Sequence, residues 1–149
     1  MKGKRIIYIV AGVLFTAFAY YTISPLFITV TVDESVPGSS GVREQSPPIT
    51  VTGTSGHPAS GTVRVIDAEG KKYIRYENYQ TINGPDIYVY LSKDLAAKDF
   101  VSLGRVKGTE GNINYEIPPD INIDEYPYIL TWCKAFGVLF NYAKIQGAE

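Results

Sequence analysis

One cysteine, one histidine and one tryptophan are all that the 149 residues offer, and the only methionine is the first residue. Each scarcity removes a class of chemistry. A lone cysteine, Cys133, closes no intramolecular disulfide. A cupredoxin-type copper centre takes two histidines, a cysteine and usually a methionine. Zinc and iron–sulfur centres take several Cys or His ligands, and attached c-type haem takes Cys-x-x-Cys-His. The chain contains none of these sets, so no metal site is expected. Hydrolases of the usual serine or cysteine kind need a histidine base, and His57 falls in a stretch that reads as tether. No P-loop or dinucleotide-binding glycine pattern follows a strand. Basic residues are scarce as well once the start is set aside. Three of the 14 (Lys2, Lys4, Arg5) precede an apolar segment, which leaves 11 against 15 acidic residues and a net charge of -4. No basic stripe interleaves with aromatics, so nucleic acid is excluded as an expected partner.

The missing charge between Ile6 and Val30 is itself the clearest signal. About 20 apolar residues in a helix cross the hydrocarbon core of a bilayer. Residues 6–30 are therefore expected to be a membrane anchor, ended or kinked at Pro25, where the ring removes a donor. Tyr20 and Tyr21 suit the far interface, and the basic residues 1–5 hold the N-terminus on the cytoplasmic side. This makes a single-pass signal-anchor protein whose remainder is extracytoplasmic. The alternative is a cleaved signal peptide with Ala17-Phe18-Ala19 as its small-residue site. The apolar character continuing through Tyr20 to Val30 favours the anchor. Either way the remainder is exported.

Residues 31–59 are rich in Ser, Pro, Gly and Thr and are expected to form a flexible tether. Ile49-Thr50-Val51-Thr52 alternates briefly and suits an edge strand. From 60 to 146 the chain reads as all-β. Strands are expected at Thr62–Asp67, Lys72–Tyr79, Asp86–Ser92, Phe100–Lys107, Asn112–Ile117, Tyr128–Lys134 and Val138–Ile145. Ala68-Glu69-Gly70-Lys71, Asn83-Gly84-Pro85, Gly108-Thr109-Glu110-Gly111 and Pro118-Pro119-Asp120 separate them. About seven or eight short strands punctuated in this way favour an antiparallel sandwich or barrel.

Cys133 follows the only tryptophan in Tyr128-Ile129-Leu130-Thr131-Trp132-Cys133-Lys134. In a strand, Ile129, Thr131 and Cys133 share one face, and Leu130, Trp132 and Lys134 the other. The Cys133 face is expected to be interior or to line a pocket. Lys134 then points away and does little to stabilise a thiolate. Asp120, Asp124 and Glu125 form an acidic loop that matches no EF-hand spacing. The many tyrosines could stack ligands or relay electrons, but they are also preferred strand residues with a polar tip.

The order of several segments resembles the DM-thirteen domain. Its first half is matched by Ser60-Gly61-Thr62-Val63, Tyr76-Glu77-Asn78-Tyr79-Gln80-Thr81 and Asn83-Gly84-Pro85-Asp86-Ile87-Tyr88-Val89-Tyr90-Leu91-Ser92. Val101-Ser102-Leu103-Gly104, Gly111 to Pro118, Trp132-Cys133-Lys134-Ala135-Phe136 and Val138 to Ala143 match the second half. The resemblance implies a cell-surface or secreted electron-transfer module of the kind found beside haem-binding DOMON domains. It also implies that Cys133 is a free redox thiol or the ligand of a prosthetic group such as haem, with Trp132 beside it. Asn83, Gly84, Pro85 and Asp86 form the motif loop of the resemblance.

Two functions of different class follow. One is a membrane-anchored redox module that uses Cys133, with or without haem, and exchanges electrons with a separate redox or surface-protein partner. The other is a non-catalytic β-sandwich binding module in which Cys133 only packs. Both favour an electron-transfer or binding domain over a stand-alone enzyme. A homodimer joined through Cys133 requires that the thiol be exposed.

Overall fold

The computed structural model describes residues 2–38 and 42–145. Met1, the Ser39-Ser40-Gly41 part of the expected tether, and Gln146 at the expected domain end lie outside the described residues. An N-terminal helix (α1, Lys2–Ile23) is followed by a 3-10 turn at Ser24–Phe27, with Pro25 in its first positions. The apolar run Gly3–Ile23 is 21 residues long, about 32 Å at 1.5 Å per residue. It is long and apolar enough to cross a bilayer, and none of it is buried against the rest of the chain.

Eleven strands follow among the described residues: β1 (Thr31–Asp33), β2 (Val42–Gln45), β3 (Ile49–Thr50), β4 (Thr52–Gly53), β5 (Ala59–Ala68) and β6 (Lys71–Thr81), then β7 (Ile87–Ser92), β8 (Phe100–Arg105), β9 (Glu110–Glu116), β10 (Tyr128–Cys133) and β11 (Val138–Lys144). They make two sheets. One runs β1-β9-β6-β5-β2, with β3 also on β5, and the other runs β4-β11-β10-β7-β8. All pairings are antiparallel except β1 with β9. The all-β sandwich expected from the strand pattern is what forms. Each of the seven expected strands is present within a few residues, and the extra ones are short edge pieces.

Local chemistry accounts for the longest hairpin. Glu69 and Gly70 both take positive φ (55° and 77°), which suits the tight two-residue turn between right-twisted strands. Residues of alternating burial from both sheets then meet in one apolar core that includes Val63, Ile74, Tyr76, Val89, Leu91, Ile113 and Ile129.

The tether expectation for 31–59 needs correction, because this stretch supplies four strands. Composition underweighted its scattered apolar residues. Val51 is buried in the core, with Val32 and Ile49 packed against it. Thr31↔Glu110 and Asp33↔Asn112 pair β1 onto the free edge of β9. The next residues cross the outer face of that sheet. There the buried Arg75 donates from Nη1 to the Glu34 carbonyl at 3.1 Å and to Asn114 Oδ1 at 2.9 Å, and its Nε reaches Glu77 Oε1 at 3.2 Å.

Candidate functional site

Strand β10 runs through the middle of its sheet, with β7 on one side and β11 on the other, so its inward side chains are sealed by backbone on both edges. Cys133, at its end, stands opposite Ile87 of β7 and Val138 of β11. Its side chain is 0% exposed and free of any disulfide. It shares a small apolar cluster with Ile87 and Phe140, flanked by Ile82, Val106 and Val138.

A polar layer divides this cluster from the main core. Thr131, two residues earlier on the same face, lies 3.0 Å from the Tyr79 hydroxyl, which crosses from the other sheet. Asn141 donates from Nδ2 to that hydroxyl at 3.1 Å and to Thr81 Oγ1 at 3.0 Å. Desolvation is the main cause that raises the Tyr79 phenol above its ordinary pKa, against the lowering effect of its hydroxyl and amide partners. Burial does the same to Tyr76 and Tyr115, with neighbouring phenols adding to it. These three rings therefore stay neutral and pack as core. Tyr76 lies 4.5 Å from Tyr79 and 5.9 Å from Tyr115 between centroids.

The Asn83-Gly84-Pro85-Asp86 loop closes over the cluster. Gly84 is buried, and a Cβ there would lie 2.9 Å from Phe140 Cζ and 3.0 Å from Ile87 Cγ2, so only glycine lets the loop sit this low. Asn83 Oδ1 accepts from the Gly84 N–H at 2.8 Å while its Nδ2 donates to the Ile28 carbonyl at 3.0 Å. The Asp86 carbonyl accepts from the Lys134 N–H at 2.9 Å, and its carboxylate takes Arg105 Nη2 at 2.9 Å. The loop is thus pinned to the chain just beyond Cys133, to β8 and to the segment leaving α1.

The expected site residues are not all brought together. Cys133 and the motif loop are, but Trp132 lies on the opposite face of β10. It pairs with Tyr88 of β7, on the outer side of the sheet, where Tyr88, Tyr90 and Phe100 form an aromatic run. One ligand cannot touch Trp132 and Cys133 without passing through the sheet. His57, expected in the tether, belongs to the turn between β4 and β5. Its ring stacks on Phe140 at 4.2 Å, with Nδ1 3.3 Å from Thr54 Oγ1. The pairing of Thr52 and Gly53 with β11 and the bonds from Thr54 to the Leu139 and Phe140 carbonyls place it there, and no spacing in the sequence signals it. Asp120, Asp124 and Glu125 are exposed at the other end of the sandwich, and the described residues contain no cluster of three or more metal-ligating side chains.

The family model described as electron transfer DM13 matches residues 51–145, more than half of the chain. The chain belongs to the DM13 electron-transfer family. The match covers β4 to β11, the motif loop and Cys133, and leaves α1 and β1 to β3 outside it. Searches of curated proteins and of solved structures found no match. For this DM13 domain, haem held by a Cys133 thiolate requires an apolar slot reaching the sulfur. The packing described above does not fit that group. Ile87, Phe140 and the motif loop fill the space around the thiol; the groove at Pro58–Ile82 reaches only Ile82 at the flank of the cluster, and neither it nor the grooves at Asp67–Asn122 and Glu34–Glu116 is lined by Cys133. The same burial keeps the thiol from pairing with a second copy while the loop is closed.

Proposed function

We propose that the protein is a membrane-anchored, extracytoplasmic electron-transfer module that works with a separate redox partner, and that Cys133 in its free-thiol form is the candidate redox group. DM13 membership over residues 51–145 is the observation that carries this reading. The apolar helix supports the anchor, and Lys2, Lys4 and Arg5 beside it favour a cytoplasmic N-terminus with the β domain on the other side. Thiol chemistry here is gated. A reagent or partner reaches Sγ only when the Asn83–Asp86 loop lifts, because the side chain is fully enclosed.

That same enclosure favours a second reading, in which Cys133 only packs and the aromatic outer face around Tyr88, Trp132 and the exposed Phe100 serves binding. The full-length protein in detergent, produced with haem available as wild type and as Cys133→Ser, separates the two. The redox reading expects no Soret band and a thiol that a small disulfide reagent modifies slowly under native conditions. A thiol that resists modification until the domain unfolds leaves packing as the role of Cys133. A Soret band confined to the wild type restores haem ligation.

A further inference from the structure

Five loops gather at one end of the sandwich: Thr54–Pro58, Ile82–Asp86, Val106–Thr109, Lys134–Gly137, and the incoming stretch Ile28–Val30. The pairings Ala59↔Thr81, Gln80↔Glu110, Tyr88↔Arg105 and Cys133↔Val138 place them there together. The incoming stretch is bound tightly. The Val30 N–H donates to Thr109 Oγ1 at 3.0 Å, the Thr109 N–H donates to the Val30 carbonyl at 2.8 Å, and Asn83 holds Ile28. Between the end of α1 at Ile23 and the held Ile28 there is only the 3-10 turn, and the rise from Ile23 to Ile28 at about 2.0 Å per residue is about 10 Å. The polar headgroup layer on each side of a bilayer is about 5–8 Å thick. The domain therefore has no slack to stand off from the membrane, and this end of it faces the lipid.

The chemistry of that end agrees. Phe136, at the tip of the β10–β11 hairpin, is 50% exposed, and Phe27, in the turn leading out of α1, is 83% exposed. Lys134 beside Phe136 forms no ion pair among the described residues and lies over the Tyr88 ring at 5.5 Å. Aromatic tips and an unpaired lysine suit the interface of an anionic bilayer. Asp120, Asp124 and Glu125 sit at the opposite end, away from a surface that would repel them.

Resting on the membrane-anchored reading above, we propose that the Cys133 end of the domain docks on the surface of the bilayer that α1 spans, with Phe136 and Phe27 seated in the interface. A partner that approaches from open solution then meets the acidic far end. The redox partner of the Cys133 end is one that lies in or on the same membrane.

The test uses the full chain reconstituted in phosphatidylcholine–phosphatidylglycerol vesicles, as Phe136→Cys and as Asp120→Cys, each labelled with an environment-sensitive fluorophore. Unsubstituted protein treated identically gives the background from the buried Cys133. The expected result is a blue-shifted probe at 136 that spin-labelled lipid quenches several-fold more than the probe at 120. Equal, water-like emission at both positions from protein that sediments with the vesicles overturns the docking and leaves the anchor standing. Protein that does not sediment with vesicles overturns the anchor and the docking with it. A shielded probe at 136 that lipid does not quench, and whose emission changes with protein density, means that a second copy covers the tip, and overturns the proposal.

Discussion

His57 stacks on Phe140, and Phe140 packs against Cys133, so the chain's only histidine and only cysteine lie at the same end of the sandwich with one phenyl ring between them. The ring keeps the imidazole from acting as a base or hydrogen-bond partner for the thiol. It also makes Phe140 the shared floor of two features. The β4–β5 turn rests on it from one side and the Asn83–Asp86 loop from the other.

Gly84→Ala tests the loop as a lid. The added methyl group meets Phe140 and Ile87 at about van der Waals overlap, so either the ring or the loop must move. Overpacking of this kind costs about 1–3 kcal/mol. If the loop yields, the Cys133 thiol should react with a small disulfide reagent at least tenfold faster than in the wild type, measured well below the unfolding midpoint. Unchanged reactivity with lowered stability means that the ring moves and the loop is not a lid.

Tyr79→Phe tests the polar layer between the sheets. Removing the hydroxyl leaves Thr131 and Asn141, which are 0% and 1% exposed, short of a partner. The cost of such unsatisfied groups is about 1–3 kcal/mol. Chemical denaturation should show a lower midpoint with an unchanged slope. A Thr131→Val, Tyr79→Phe double variant should recover part of the loss, because it removes one of the stranded groups.

Much of this was legible in advance, and the reason lies in period. Ile129, Thr131 and Cys133 alternate with Leu130, Trp132 and Lys134, and an alternating run in a central strand has one way to face the core. The turns were legible for a similar reason, since Glu69-Gly70 and Ala135-Phe136-Gly137 carry the residues tight turns need. What escaped was long-range. Thr31–Asp33 is a strand only because Gly111, with φ of 113°, leaves the edge of β9 open to Val32, and nothing within three residues of Val32 announces that edge. The place of His57 is long-range too, because its turn is held by Thr54, which donates to the Leu139 and Phe140 carbonyls some 85 residues away. The motif loop could be found from Asn83-Gly84-Pro85-Asp86, but its burial of Gly84 against Phe140 could not.

Glu34 should give the domain an acid-sensitive strap. Desolvation alone would raise its carboxyl, but the Asn114 N–H and the Lys107 ammonium at 3.0 Å, with Arg75 behind them, outweigh it and hold the value below the ordinary 4.5. A folded value below the unfolded one stabilises the domain fully above the unfolded value. That contribution is lost as the pH falls through the folded value. The pair is partly solvated, so the effect is about 1 kcal/mol or less. Glu34→Gln should therefore lower the urea midpoint at pH 7 and converge on the wild type in acid well below pH 4.5. An equal gap at both pH values would mean that the lost packing, and not the charge, is what matters.

The strap also predicts where the folded unit begins. A fragment starting at Val51 keeps every residue of the family match but removes β1, β2, β3 and Glu34. Arg75 then loses the Glu34 carbonyl above its buried guanidinium, and the edge of β9 loses its parallel partner. An uncompensated group of this kind costs about 1–3 kcal/mol, more when charged. A fragment starting at Ile28 retains all of these contacts. In thermal unfolding the longer fragment should melt well above the shorter one, and amide exchange should show protection at Asn112 and Asn114 only in the longer one. Equal melting temperatures would mean that β1 merely lies along a self-sufficient sheet. The short connection between membrane and domain would then be free to detach.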